Sequence, residues 1–79
     1  MNRDQLIMIS RARKLLASGR ARQIRRKARI SSEELAQAVG VARATLSRWE
    51  NGQSQPRGPY ALRYAELLEE LERGGRTAA

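Results

Sequence analysis

The chain has 79 residues with 16 Lys or Arg against eight Asp or Glu, a net charge of +8, and neither cysteine nor histidine. Its length allows one small domain, and the missing residues remove disulfides, cysteine-based metal sites and the commonest general base. We therefore predict a protein that is not an enzyme and that has no catalytic residues, metal site or cofactor.

The charge is unevenly distributed along the chain. Residues 1–30 contain ten Lys or Arg and one acid, whereas residues 31–79 contain six Arg and seven Glu. GC-rich codon usage would raise the arginine content but explains this segregation less easily. A basic half predicts a polyanionic partner, either nucleic acid or an acidic membrane surface.

The membrane alternative is disfavoured by the amino-terminal sequence. The apolar run at residues 6–9 is too short for a signal peptide or a membrane span. A basic amphipathic helix over residues 3–29 would be interrupted at Ser18 and Gly19 and would have a thin apolar face. We therefore expect a cytoplasmic, nucleoid-associated protein with no membrane partner.

Apolar residues recur at helical spacing without strand-like alternation, which predicts an all-α fold. The first helix is expected from Asp4, as its N-cap, to about Ala17, followed by a second over residues 20–28. The apolar stripes are Leu6, Ile9, Ala12, Leu15 and Leu16 in the first helix and Ala21, Ile24 and Ala28 in the second. The opposite, cationic face of the second helix contains Arg20, Arg22, Arg26 and Lys27.

A third helix is predicted to begin at a capping box formed by Ser31 and Glu34 and to stop at Gly40. A fourth is expected over residues 42–50. The two-residue connection between these helices forces a sharp crossing, as in a helix-turn-helix. The residues expected to shape and anchor that crossing are Leu35, Ala36, Val39, Gly40, Val41, Leu46 and Trp49.

The last helix is predicted from Pro59 to about Arg73, after a polar loop over residues 53–58. These elements predict an amino-terminal accessory helix in residues 1–19, a helix-turn-helix domain in residues 20–73 and a disordered tail in residues 74–79. Apolar side chains beyond a single stripe suggest a self-association surface on the last helix, and Ile7 and Met8 make the first helix a competitor for that role. The candidates on the last helix are Tyr60, Tyr64, Leu67 and Leu71.

The segment SEELAQAVGVARATLSRWENG, residues 32–52, resembles the helix-turn-helix of the Cro-like phage-repressor (XRE-type) family. The resemblance covers about residues 20–70 and implies a compact five-helix bundle of the lambda-repressor-like type. It also implies a sequence-specific transcriptional regulator, a repressor of phage or prophage type, that binds double-stranded DNA. Such proteins commonly bind near-palindromic operators as homodimers. The resemblance further implies an ion pair between Arg25 and Glu50.

The two sides of the 42–50 helix predict how it would read DNA. With Leu46 and Trp49 turned inward, a strip of polar and small side chains faces outward, and an arginine can bond both acceptors of a guanine edge. The resemblance assigns base reading to three of these positions. The full set of base-reading candidates is Arg43, Ala44, Ser47 and Arg48.

Phosphate contacts are expected on either side of that strip. The resemblance implies them at Ser32 and Asn51, and Gln53 and Arg57 are weaker candidates. A contact from Thr45 to the sugar-phosphate backbone stays open. Arg22 or Arg26 are further possibilities for the DNA backbone. The family often has Ser or Thr where this chain has Ala42, which removes an N-cap hydroxyl from the recognition helix.

One alternative from another functional class uses the same motif. An antitoxin or adaptor protein would bind a protein partner through its first or last helix and use the helix-turn-helix for autoregulation. The sequence therefore leaves two partner sets open: DNA with a second copy of the chain, or DNA with a different protein.

Overall fold

The computed structural model describes residues 1–74. Those residues form five helices and no strand, so the predicted all-α, five-helix architecture is confirmed. Residues 75–79, most of the predicted tail, lie outside the described residues. The helices are α1 (Arg3–Ser18), α2 (Arg20–Lys27), α3 (Ser32–Val39), α4 (Arg43–Glu50) and α5 (Gly58–Glu72).

The N-cap of α1 is Asn2, and the prediction of Asp4 was wrong. The Asn2 side-chain oxygen accepts a hydrogen bond from the Gln5 backbone N–H at 2.8 Å, and Gln5 Oε1 accepts one from the Asn2 N–H at 3.0 Å. This reciprocal pair satisfies two donors that a helix start leaves free. Asp4 instead lies in the first turn, where its negative charge complements the helix dipole.

All five helices contribute to one hydrophobic core, so residues 1–19 and residues 20–73 share it. Leu6 is an exception among the predicted stripe residues, because its side chain is 57% exposed. It lines a shallow groove beside Gly58 and Ala61, where α5 begins. The buried core residues are Ile9, Ala12, Leu16, Ala21, Ile24, Leu35, Ala36, Val39, Leu46, Trp49, Ala61, Tyr64, Ala65 and Leu68.

Tyr64 lies at the centre of this core and is 0% exposed, which contradicts its prediction as a dimerisation residue. Its ring packs edge-on against Trp49, with ring centroids 5.4 Å apart and planes at 65°. Burial raises the pKa of the Tyr64 hydroxyl, and the nearby Glu50 carboxylate raises it further. Leu67 and Leu71 are half-buried against the core, whereas Tyr60 is exposed.

The turn between α3 and α4 consists of three residues, Gly40, Val41 and Ala42. The backbone N–H groups of Gly40 and Val41 both donate to the Ala36 carbonyl, at 2.8 and 3.0 Å. Gly40 has φ +95°, a left-handed conformation that favours glycine. Ala42 is the N-cap of α4 and not its first residue, since its backbone is extended. Its methyl group offers no hydrogen-bond acceptor to the first turn of the helix.

Polar contacts that the sequence did not reveal hold α1 and α5 in place. Arg11 of α1 forms a two-bond ion pair with Glu72 of α5, at 2.8 and 2.9 Å. Arg13 donates from Nη2 to the carbonyl of buried Pro56 at 2.9 Å. Arg63 of α5 donates to the Val39 carbonyl at the end of α3, also at 2.9 Å. None of the helices within residues 1–74 has the length and apolar character needed to cross a membrane.

Candidate nucleic-acid interface

The two faces of α4 differ sharply in exposure. Leu46 is 0% and Trp49 is 4% exposed, and both belong to the hydrophobic core. Glu50 is buried as well, whereas the other positions turn away from the core, with Thr45 half-buried at the boundary. The exposed strip, hereafter the α4 strip, consists of Arg43, Ala44, Ser47 and Arg48.

The guanidinium groups of the two arginines in the α4 strip make no hydrogen bond or ion pair with any residue from 1 to 74. Glu50, Glu69 and Glu72 instead pair with arginines of α1, of α2 or of the C-cap of α5. The Arg43 and Arg48 guanidinium groups therefore keep all their donors available to an external acceptor.

Glu50, the last residue of α4, fixes the helix to α2. Arg25 donates from Nε to Glu50 Oε2 at 2.8 Å and from Nη2 to Oε1 at 3.0 Å. A third Arg25 donor, Nη1, bonds the Ile30 carbonyl at 3.0 Å. Both side chains are almost fully buried, at 10% and 3% exposed. The hydrogen bonds to Glu50 raise the pKa of Arg25 despite its burial. This arrangement sets the position of α4, because the buried Glu50 carboxylate accepts two parallel hydrogen bonds from the planar Arg25 guanidinium.

Arg22 extends this network to Asn51. Its Nε lies 3.4 Å from Glu50 Oε1, and its Nη2 donates to the side-chain oxygen of Asn51. The Asn51 amide oxygen therefore has a partner inside the protein, whereas its two side-chain N–H donors make no hydrogen bond within residues 1–74. The sequence suggested Arg22 as a DNA-backbone residue, whereas in the structure its guanidinium is engaged with Glu50 and Asn51.

The helix α3 begins with a capping box formed by Ser31 and Glu34. Ser31 Oγ accepts from the Glu34 N–H at 3.0 Å, and Glu34 Oε1 accepts from the Ser31 N–H at 2.8 Å, as predicted. The hydrogen bonds from Ser31 hold the pKa of the Glu34 carboxyl below its ordinary value. Ser32 follows as the first helical residue and is half-buried. Its hydroxyl makes no hydrogen bond within residues 1–74.

The loop after α4 carries the remaining predicted phosphate contacts. The Gln53 N–H donates to the Arg48 carbonyl at 2.9 Å, which folds the loop back on the end of α4. Gln53 and Arg57 are both exposed, and Arg57 is the N-cap residue of α5. The exposed cations Arg26 and Arg29 belong to the end of α2 and the turn after it. Within residues 1–74 no three potential metal-ligating side chains come together.

Besides the Arg11–Glu72 ion pair, three contacts were missed by sequence reasoning: Arg22 to Asn51, Arg63 to Val39, and Arg13 to Pro56. Each joins residues separated by 24 or more positions. The only sequence signal was weak: Arg63 is a cation that can neutralise the carbonyl end of a helix. Nothing in the sequence identified which helix that would be.

Comparison with known families finds a match over residues 22–77 to a family described as helix-turn-helix. Comparison with curated proteins and with solved structures finds no significant match. The matched range begins in α2 and includes α3, α4 and α5, whereas α1 lies outside it. The match agrees with the crossing of α3 and α4 at Gly40. The chain belongs to the XRE/Cro-like helix-turn-helix family, a family of DNA-binding regulators.

Proposed function

We propose that the protein is a sequence-specific transcriptional repressor of the phage or prophage type. It binds a near-palindromic operator as a homodimer, with α4 of each protomer in the major groove and half-sites about one helical turn apart. The observation that carries the proposal is the α4 strip. Two arginines without intramolecular partners lie opposite the buried Leu46 and Trp49.

Arg43 and Arg48 are the proposed guanine readers. Each guanidinium can donate two parallel hydrogen bonds to O6 and N7 of a guanine, a contact worth about 1–3 kcal/mol of base discrimination. Ala44 lies between them in the exposed strip, and its methyl group suits the methyl group of thymine. Ser47 can donate to or accept from a base edge. The strip therefore supports recognition of a short run of bases in each half-site.

The phosphate contacts are proposed on both sides of the α4 strip. At the start of α3, Ser32 offers a hydroxyl, and the helix dipole favours a phosphate there. Asn51 offers the N–H donors that its bond from Arg22 leaves unused. Thr45, Gln53 and Arg57 are the remaining candidates. These contacts would orient α4 without reporting the base sequence.

Homodimerisation is proposed because a module of this size presents only a short base-reading strip. Two copies double that strip and match the two-fold symmetry of a palindrome. The half-buried Leu67 and Leu71 offer less apolar surface than the first turns of α1, where Leu6 is 57% and Ile7 is 60% exposed. We therefore favour α1 as the self-association surface.

Selection of bound sites from a random duplex library tests the proposal as a whole. We expect enrichment of a two-fold symmetric site whose half-sites contain guanine and lie about one turn apart. Enrichment of an asymmetric site would contradict the dimer, and the absence of any enriched sequence would contradict specific recognition. Analytical ultracentrifugation on the selected duplex should give two protomers per duplex, and a strict 1:1 complex would overturn the dimer.

Paired substitutions separate base reading from phosphate binding. Arg48→Ala should relax the preference at one base pair of each half-site, whereas Ser32→Ala should weaken all sequences by about the same factor. Glu66→Ala, on the exposed face of α5, serves as the control and should change neither. If Arg48→Ala and Ser32→Ala both lower specific and random binding equally, Arg48 does not read bases.

A second candidate function is an antitoxin or adaptor protein that uses the same motif for autoregulation. The observation that favours it is the exposed apolar pair Leu6 and Ile7 on α1, outside the matched family range. The double variant Leu6→Lys/Ile7→Lys distinguishes the two functions. It should weaken operator binding if the pair joins two copies, and it should leave operator binding unchanged if the pair binds another protein.

A further inference from the structure

Arg29 has a left-handed backbone, with φ +63°, and is the only non-glycine residue with positive φ among residues 1–74. It lies in the turn that joins α2 to α3. Residues other than glycine, asparagine and aspartate rarely adopt this conformation, because the Cβ of an L-residue approaches the neighbouring backbone too closely. An arginine at this position therefore has a conformational cost that glycine would not have.

The turn itself does not need an arginine. The Arg29 N–H donates to the Arg26 carbonyl at 2.9 Å, and the Ile30 N–H donates to the Arg25 carbonyl at 3.2 Å. This pair of backbone bonds is the Schellman ending of a helix, for which glycine is the usual left-handed residue. Nothing in the hydrogen-bonding pattern of the turn involves the Arg29 side chain.

The Arg29 side chain also has no partner inside the protein. It is exposed, and its guanidinium makes no hydrogen bond or ion pair with the rest of residues 1–74. The same turn is tied to the DNA-reading helix, since the Ile30 carbonyl accepts from Arg25, which binds Glu50 at the end of α4. Ser32, a proposed phosphate contact, follows Arg29 by three residues.

We propose that Arg29 is a DNA phosphate contact, held by the turn beside Ser32 on the DNA side of the domain. This inference rests on the proposed function and adds a residue to its phosphate-binding set. The unused guanidinium explains why a cation occupies a position that favours glycine. Its contact is electrostatic and independent of sequence, because a phosphate carries no base information.

Arg29→Gly separates this role from a structural one, because the two properties change in opposite directions. Removing the Cβ relieves the left-handed conformation, so the melting temperature should rise by about 4–8 °C for a domain of this size. Removing the guanidinium should reduce the salt slope of DNA binding by about 0.9 per bound protomer. That slope makes each contact worth roughly fivefold in affinity between 1 M and 0.15 M salt.

The experiment measures salt-dependent binding of the full chain to two duplexes of about 30 base pairs, roughly three helical turns. One contains the selected operator and the other an unrelated sequence. Arg29→Lys keeps the charge and the strained backbone, so its slope and melting temperature should stay close to those of the unsubstituted chain. Arg73→Ala, an exposed arginine at the end of α5 and outside α1, is the control for the loss of one positive charge.

A lower slope and a higher melting temperature for Arg29→Gly, with both restored in Arg29→Lys, support the contact. An unchanged slope for Arg29→Gly overturns it, as does an equal drop for Arg73→Ala. If Arg48→Ala still relaxes base preference in either of those cases, the proposed function stands and only the Arg29 contact is lost. If the unsubstituted chain binds neither duplex, the proposed function fails together with the inference.

Discussion

The buried ion pair between Arg25 and Glu50 makes a strong prediction about stability. In Glu50→Ala the Arg25 Nε and Nη2 atoms lose their acceptors, and the guanidinium stays in a site where its side chain is only 10% exposed. Removing one partner of such a pair costs about 3–5 kcal/mol. A domain of this length has a total free energy of unfolding of roughly 4–12 kcal/mol. We therefore expect a variant close to its unfolding threshold.

Urea unfolding followed by far-UV circular dichroism measures this loss, and Trp49 fluorescence provides a second probe beside Glu50 in the sequence. In thermal unfolding, the same loss should lower the melting temperature by about 12–40 °C, from roughly 4–8 °C per kcal/mol. Glu66→Ala is the matched control. It is an exposed glutamate on α5, where a surface substitution should change the stability by no more than about 0.5 kcal/mol.

The double variant Arg25→Met/Glu50→Leu tests the cause. It removes both charges and leaves none unpaired, so it should lose less stability than Glu50→Ala alone. A loss below about 1 kcal/mol for Glu50→Ala would refute the reasoning, because it would mean that the isolated guanidinium is readily solvated. The reasoning would also be refuted if the stability loss of the double variant equalled the sum of the losses of Arg25→Met and Glu50→Leu measured singly, since this would show no coupling between the two residues.

Three further predictions concern the helix ends and the α1–α5 contact. Ala42→Ser supplies the missing N-cap acceptor of α4 and should stabilise the domain by about 0.5–2 kcal/mol in urea unfolding; a loss would show that the hydroxyl does not reach the helix. Gly40→Ala should cost about 1–2 kcal/mol, because its φ is +95° and the new Cβ would lie 2.9 Å from Arg63 Nη1; an unchanged melting temperature would contradict this. Arg11 lowers the pKa of the Glu72 carboxyl through their hydrogen bond. The ion pair should therefore add about 0.2–1 kcal/mol to the free energy of unfolding above the unfolded pKa of Glu, near 4.3, and this contribution should be lost as the pH falls through the lower folded pKa. Glu72→Gln should flatten the acid limb of a melting-temperature profile, and an unchanged limb would rule out this linkage.

The fold was largely predictable because local signals in the sequence agreed with one another. The glycine at 40 and the capping box at Ser31 and Glu34 marked the ends of α3, and both signals depend on residues within a few positions. The inward face of α4 followed from Leu46 and Trp49 at helical spacing. At the start of α1 the N-cap is Asn2 and not the predicted Asp4, because the Gln5 side chain completes a capping box with Asn2.

The errors concern surfaces that only the packing of distant helices decides. Tyr64 carries a hydroxyl and lies among residues that spread beyond one stripe, yet α5 turns it into the centre of the core against Trp49. Leu6 fits the α1 stripe, yet it lies where α5 has only begun and therefore stays exposed. Arg22 reads as one more surface cation, and its bonds to Glu50 and Asn51 depend on how α2 meets α4. Helical periodicity assigns a face but does not show what covers it.

The candidate site divides in the same way. The composition of the α4 strip and its exposure followed from the sequence, because one short helix carries both its buried and its polar face. Which cations remain free for DNA did not follow, since the chain has 16 Lys or Arg and several are engaged across helices. The left-handed backbone of Arg29 was likewise not apparent, because the residue that usually marks such a turn is glycine.

The central claim is that the free guanidinium groups of α4 read guanine in the major groove. The most direct test is a thermodynamic cycle that combines Arg48→Ala with 7-deazaguanine at each guanine of the selected operator. This base lacks the N7 acceptor and keeps its Watson–Crick edge. We predict one guanine in each half-site where the two changes are coupled by about 0.5–1.5 kcal/mol, half the value of a two-bond contact. If 7-deazaguanine weakens both proteins by the same factor at every position, Arg48 does not contact guanine N7 and the account is contradicted.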